Sequence, residues 1–291
     1  MVNHRTADVL VRERAALGEV PRWSVALQSL LWLDIDGGLL HVTEPDSGRD
    51  ATHDVGPGMG LVAPRADGGV ALARRDALVV APLDGAPERP LASIPSAPDE
   101  VMNEGACDPA GRLWAGTYAA GERPGGGRLY RLDPDGAVRT VLRSVTLSNG
   151  LGWSPDHRTM YYVDSATQAI DTFTYDVASG TIADRRPWVR IAKEDGLPDG
   201  LAVDHDGAVW VALWGGRAVR RYAPDGRLDR VVDVPADHVT ACAFGGRDGA
   251  TLFITTAAGY LEPAARAAQP LAGSLFALDP GVSGPPPHLL P

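Results

Sequence analysis

Apolar and polar residues alternate in short runs along most of this chain, as in LYRLD and VRRYA, which is the period of strands exposed on one face. Other runs, such as LAVD and WVAL, are evenly apolar, as expected of strands packed between neighbouring sheets. No segment carries the period of a long amphipathic helix. The runs fall into a repeat. One half of the unit is a turn followed by an apolar strand: PRADGGVALAR from Pro64, DPAGRLWAGT from Asp108, SPDHRTMYYVDS from Ser154 and DHDGAVWVAL from Asp204. Looser copies are PRWSVALQSLLWLDI from Pro21 and GGRDGATLFITT from Gly245. The other half is a hairpin whose turns read PDSG, LDGA, DPDG and PDG, where Asp favours the turn and Gly supplies positive φ.

Six copies of each half, at a period of about 42–50 residues with roughly four strands apiece, predict an all-β, six-bladed β-propeller. Residues 1–291 are read as a single domain, because no linker or composition break interrupts them. A pair of β-sandwiches leaves the sixfold regularity unexplained, and a β-helix repeats over a shorter length. The last half-unit, GSLFAL, lacks a partner strand; the N-terminal ADVLVRERAAL is expected to supply it and close the ring.

Composition narrows the class. The chain is 44% apolar and 22% charged, as soluble globular proteins are, and its 34 glycines and 24 prolines are scattered as turns would scatter them. A net charge of −10 argues against nucleic acid and anionic membranes as partners. Cys107 and Cys242 sit in apolar runs and read as buried core residues, not a disulfide framework. With no apolar stretch suited to a signal peptide or a membrane helix, a cytoplasmic protein is expected, monomeric or weakly self-associating.

Aligning the units picks out a ring. The position six residues before the turn residue holds Glu19, Gly58, Asn103, Asn149, Asp199 and Thr240 in turn. In a propeller, equivalent positions at the start of each innermost strand surround the mouth of the central channel. Five of the six carry a side-chain oxygen and two are carboxylates, a donor set for one hard divalent cation such as Ca²⁺, Mg²⁺ or Mn²⁺. Zn²⁺ is better served by nitrogen or sulfur. Taken singly, Asn149-Gly150 and Asp199-Gly200 read as hairpin turns. Turn chemistry alone does not explain why Glu and Thr replace them at the same register.

At these residues the sequence resembles the SMP-30/gluconolactonase/regucalcin family of sugar lactonases. The matching stretches are LGEVPRW at 17–23, NEGACDPAGRLWAGT at 103–117, LSNGLGWSPDHRTMYYVDS at 147–165, LPDGLAVDHDGAVWVALWGG at 197–216, TACAFGGRDGATLFITTA at 240–257 and GSLFALDPGVSGPP at 273–286. The resemblance implies one catalytic divalent cation, Ca²⁺ first among the choices, held by Glu19, Asn149 and Asp199. It implies that Asp199 is also the general acid/base and that Asn103 lies near the metal's water or the substrate. It also marks departures. Where sugar lactonases of the family often carry an Arg and an Asp on sugar hydroxyls, this chain has Val101 and Glu104. Losing the Arg removes a rigid multi-donor fork, which argues against a polyhydroxylated substrate. The glycine-rich segment AAGERPGGG at 119–127 stands where a lid is expected.

The function that follows is a metal-dependent lactonase that opens a small lactone to the hydroxy acid. Asp199 is its expected catalytic residue, and Asn103, Glu104, Val101 and Tyr118 are the expected substrate contacts. A metal-dependent esterase or phosphotriesterase, or a specialised biosynthetic hydrolase, is a variant on the same site. A non-enzymatic calcium- or ligand-binding propeller is the alternative of a different class; it has no need of three ligands that leave positions open for substrate. No GxSxG elbow or HExxH motif is present, and His238 reads as a solvated loop residue.

Overall fold

A computed structural model describes residues 2–291 as a six-bladed β-propeller. The innermost strands of blades 1 to 6 are Gly18–Ser24, Leu61–Pro64, Glu100–Cys107, Ser148–Trp153, Leu197–Val203 and His238–Gly245. Each pairs antiparallel with the strand that follows it, and the meander continues outward to a fourth strand. Each inner strand also packs against the inner strands on either side, so the six surround a channel. Hairpin turns read from sequence are turns here, with Gly48, Gly136 and Gly226 at positive φ.

Both ends of the chain build blade 6. Asp8–Val11 pairs antiparallel with Leu275–Leu278 and forms its outermost strand, as the unpaired GSLFAL half-unit requires. Just before it, Asn3–Thr6 adds a parallel fifth strand to the edge of blade 5, along Arg230–Asp233. No pattern in the sequence announced that strand. Helix is confined to Pro263–Ala268 and three single 3₁₀ turns, and among the described residues no helix is long and apolar enough to cross a membrane.

The repeated turn has a physical job. Asp108 and Asp204 are fully buried, and each accepts backbone N–H groups two and four residues on, from Ala110 and Arg112 and from Asp206 and Ala208. Each also accepts the indole N–H of the tryptophan six residues on, Trp114 or Trp210. Arg131 lies 5.7 Å over Trp114 and Arg221 5.7 Å over Trp210. Buried carboxylates are costly unless paired, and Arg112 and Arg221 supply the pairing. One aspartate thus fixes a turn and a core tryptophan together. Cys107 and Cys242 are free and buried, and burial pushes the Cys107 thiol up to about 12.

Candidate active site

Five of the six inner strands carry a register shift where the repeat placed the ring. The shifts lie between Glu19 and Arg22, Met102 and Gly105, Ser148 and Leu151, Pro198 and Leu201, and Val239 and Ala241. A bulge breaks strict alternation and re-aims the side chain within it. Glu19, Asn103, Asn149 and Asp199 are thereby delivered to one cavity at the channel mouth. The glycines beside them are not turn glycines, since neither Gly150 nor Gly200 has a positive φ. A Cβ on Gly150 would lie 2.5 Å from the Leu201 nitrogen, and one on Gly200 would lie 2.4 Å from the Ala241 Cβ. Glycine is needed there so that the next inner strand can pass against the bulge.

Two ring positions depart from the expectation. Blade 2 starts its inner strand only at Leu61, and Gly58 stands outside it, exposed and at φ 82°. Thr240 is fully buried, and its hydroxyl donates to the Gly18 carbonyl at 2.6 Å, tying blade 6 to blade 1 instead of facing the channel. Four of the six positions face the cavity.

The cavity holds about 410 Å³. Its floor is polar: Glu19, Asn103, Asn149, Ser165 and Asp199. Its wall is aromatic and aliphatic: Tyr118, Trp214, His238 and Tyr260 with Leu17, Leu147 and Leu197, and Glu122 stands at the rim. The floor is wired together. Asn103 Nδ2 donates to Asn149 Oδ1 at 2.6 Å and to the Ser148 carbonyl at 2.7 Å. Asn149 Nδ2 donates to Ser165 Oγ at 2.8 Å, and that hydroxyl donates to the Pro198 carbonyl at 2.6 Å. Behind the floor, Asp34 accepts the N–H groups of Ala16 and Leu17, and Asp164 accepts those of Thr146 and Leu147. These two aspartates hold the segments that lead into Glu19 and Asn149. Val20, a β-branched residue, is held at φ 50°, where its N–H donates to Glu19 Oε2 at 3.0 Å. That strained conformation sits next to a proposed ligand, as stored strain often does.

Glu19 and Asp199 each expose only 6% of their surface. Burial pushes Glu19 up to about 8, with Glu104 adding to it and the Val20 N–H and Arg22 opposing. Burial first, then Glu19 and Glu104, drive Asp199 well above the usual carboxylate range, and only the Gly200 N–H opposes. Asp199 Oδ1 is buried without a hydrogen-bond partner. Among the described residues no Lys or Arg lines the cavity to compensate. Nor are three His, Cys, Asp or Glu side chains grouped there as in a metal site; the floor combines two carboxylates with amides.

Three sequence expectations change. Glu104 does not line the cavity: its Oε1 accepts from Arg22 Nη2 at 3.0 Å, and its Oε2 is buried and unpartnered. Arg22 also donates to the Gly105 carbonyl at 2.7 Å, so the expected substrate contact is half of an ion pair inside the protein. The blade 3 bulge explains this, since it aims Asn103 at the mouth and turns the next residue away. Val101 is half-buried opposite Tyr118 and is not a lining residue. His238 is not a solvated loop residue but lies in an inner strand with its ring stacked on Trp214. Tyr118, by contrast, does line the wall. Trp214, Tyr260, Ser165 and Glu122 went unread. Trp214 had a signal: it is the tenth residue past Asp204, as Tyr118 is past Asp108.

Residues 17–258 match the SMP-30/gluconolactonase/LRE-like region. The chain belongs to this family. Regucalcin of Danio rerio is 34% identical over 285 residues, covering 97% of each chain. "Putative sugar lactone lactonase YvrE" of Bacillus subtilis (strain 168) is 36% identical over 265 residues, covering 90% of this chain and 91% of the relative. The solved structure of a calcium-binding protein, regucalcin, from Agrobacterium tumefaciens superposes with a TM-score of 0.94 at 28% identity, covering 100% of this chain and 99% of that one. Family membership of this kind supports a lactonase-type function.

Proposed function

We propose that this protein is a metal-dependent hydrolase that opens a small lactone to its hydroxy acid. The observation that carries the reading is the convergence of Glu19, Asn149 and Asp199, beside Asn103, on the floor of one cavity. The chemistry of that floor fits a divalent cation. Two buried carboxylates repel each other with no basic side chain between them, and Asp199 keeps an unpartnered oxygen. All three side chains offer oxygen, which suits the hard cations Ca²⁺, Mg²⁺ and Mn²⁺, with Zn²⁺ as a further candidate; Ca²⁺ is placed first because the similar Agrobacterium tumefaciens regucalcin is described as calcium-binding.

Glu19, Asn149 and Asp199 would hold the ion. Such an ion supplies Lewis-acid stabilisation of the oxyanion that develops as the lactone carbonyl is attacked. Asp199 takes a proton from the attacking water as the water oxygen bonds to the carbonyl carbon. It returns that proton to the ring oxygen as the C–O bond breaks, which yields the hydroxy acid. Asn103, held in place by Asn149 and Ser148, orients the water or the substrate oxygen. The aromatic and aliphatic wall keeps bulk water from the reacting centre.

The test is proton release from a panel of lactones, using chelator-stripped protein resupplied with each cation. Turnover is expected to return with metal, and Asp199→Ala should lower kcat at least ~100-fold, the usual share of a general acid/base. Absence of turnover on every lactone, with cation demonstrably bound, would sink the proposal.

A further inference from the structure

Most polar groups of the cavity floor are already committed, and Asn103 Oδ1 is left for the reacting water or the lactone oxygen. The amides of Asn103 and Asn149 bond to each other, to Ser148 and to Ser165, and the Ser165 hydroxyl bonds to the Pro198 carbonyl. Glu19 and Asp199 are assigned to the cation. The wall above them is built of rings. Trp214 and His238 are stacked with centroids 4.0 Å apart and planes within 10°, and Tyr260 meets Trp214 edge-on at 5.3 Å. The Tyr260 hydroxyl is spent on Asp36 Oδ2 at 3.0 Å. Among the described residues the cavity presents no Lys or Arg.

We infer that the substrate is an uncharged lactone whose non-reacting part is a flat aromatic or conjugated ring, laid against the wall of Trp214, His238 and Tyr260. The inference rests on the lactonase reading and deepens it. The several hydroxyls of a sugar lactone would lose water on entry and find few free partners, a mismatch that costs affinity at each unpaired group. A flat ring meets no such penalty and gains offset and edge contacts with the wall. With Glu19 and Asp199 occupied by the cation, a carboxylate or phosphate substituent laid on the wall would still find Glu122 at the rim and no basic side chain to receive it. Two polar handles remain on the wall: the Tyr118 hydroxyl, which bonds to no other side chain among the described residues, and the His238 imidazole, whose Nδ1 is buried without a partner. Burial also lowers the pKa of this imidazole, so at neutral pH it offers a neutral hydrogen-bonding nitrogen to a single polar substituent on the ring.

The experiment compares kcat/KM of the calcium-loaded full chain on a benzo-fused δ-lactone, an alkyl δ-lactone and glucono-δ-lactone, in wild type, Trp214→Ala and Trp214→Phe. Calorimetric binding of the matching benzo-fused lactam, whose amide resists hydrolysis, is measured beside it. The benzo-fused lactone is expected to exceed glucono-δ-lactone by at least ~10-fold. Its advantage over the alkyl lactone should fall about tenfold in Trp214→Ala and persist in Trp214→Phe, the size of a lost ring contact. A preference for glucono-δ-lactone, or an advantage untouched in Trp214→Ala, overturns the inference while leaving the lactonase standing. If no lactone is opened, the lactonase reading fails, and the lactam decides what remains. Binding that weakens in Trp214→Ala supports the ring-binding wall, and no binding overturns it.

Discussion

Arg22 and Glu104 come from inner strands of different blades and meet inside the channel, 14% and 2% exposed. Sequence similarity would have set Glu104 against substrate, yet its carboxylate faces the Arg22 guanidinium. Breaking such a pair strands a buried charge, which costs roughly 3–5 kcal/mol. Arg22→Leu should therefore lose stability of that order in urea unfolding, and adding Glu104→Leu should recover most of it. A loss in the single variant that the double variant does not recover would mean that Arg22 acts through packing alone. Asp199 and Glu19 pose the opposite case, buried carboxylates with no such partner, and that imbalance is what a cation would relieve.

Strand bulges turn a repeating scaffold into a site. Without them Asn103, Asn149 and Asp199 would obey strand alternation, and the fold would offer a ladder instead of a floor. Their neighbouring glycines are the weak points of the design. Gly150→Ala would drive a Cβ to 2.5 Å from the Leu201 nitrogen and 2.7 Å from the Asp199 carbonyl, pushing blades 4 and 5 apart. Overpacking of this kind costs roughly 1–3 kcal/mol. The expected readouts are a lower urea midpoint and weaker cation binding by calorimetry, since the displaced backbone carries two of the proposed ligands. The strand Asp8–Val11 is the second critical element. Deleting residues 2–11 uncovers the Leu275–Leu278 edge of blade 6. Thermal unfolding of that deletion should begin several degrees lower, with a tendency to aggregate; an unchanged transition would mean that the ring closes well enough without it.

Ring closure and the central charge are linked at the level of the entire propeller, because Glu19 and Asp199 lie on blades that meet only across the channel mouth. In metal-free protein, Glu19 holds its proton to about pH 8 against an ordinary 4.5, and Asp199 is shifted the same way. The unfolded chain gives up those protons near the ordinary value while the fold still retains them. The stability this contributes is fully present below about pH 4.5 and is lost as pH rises towards 8. The melting temperature of chelator-treated protein should therefore fall across that window. Saturating Ca²⁺ should raise it and flatten the fall, because an ion held as proposed would bind the ionised carboxylates, and only in the folded state. A metal-free melting temperature that climbs over the same range would contradict the paired burial of Glu19 and Asp199.

The number of blades, the strand order within them and the closure of the ring by the N-terminus were all legible in the chain, because turn chemistry and apolar alternation are local and recur six times. Membership of the ring was legible too, since one register collected Glu19, Asn103, Asn149 and Asp199. Side-chain direction was not. Whether Thr240 faces the channel or bonds to Gly18, and whether Glu104 meets substrate or Arg22, depends on where a bulge breaks alternation and on what the next blade presents there. The aromatic wall lay beyond local reading for the same reason. Trp214, His238 and Tyr260 come from two blades and a loop, and they become one surface only when the propeller closes.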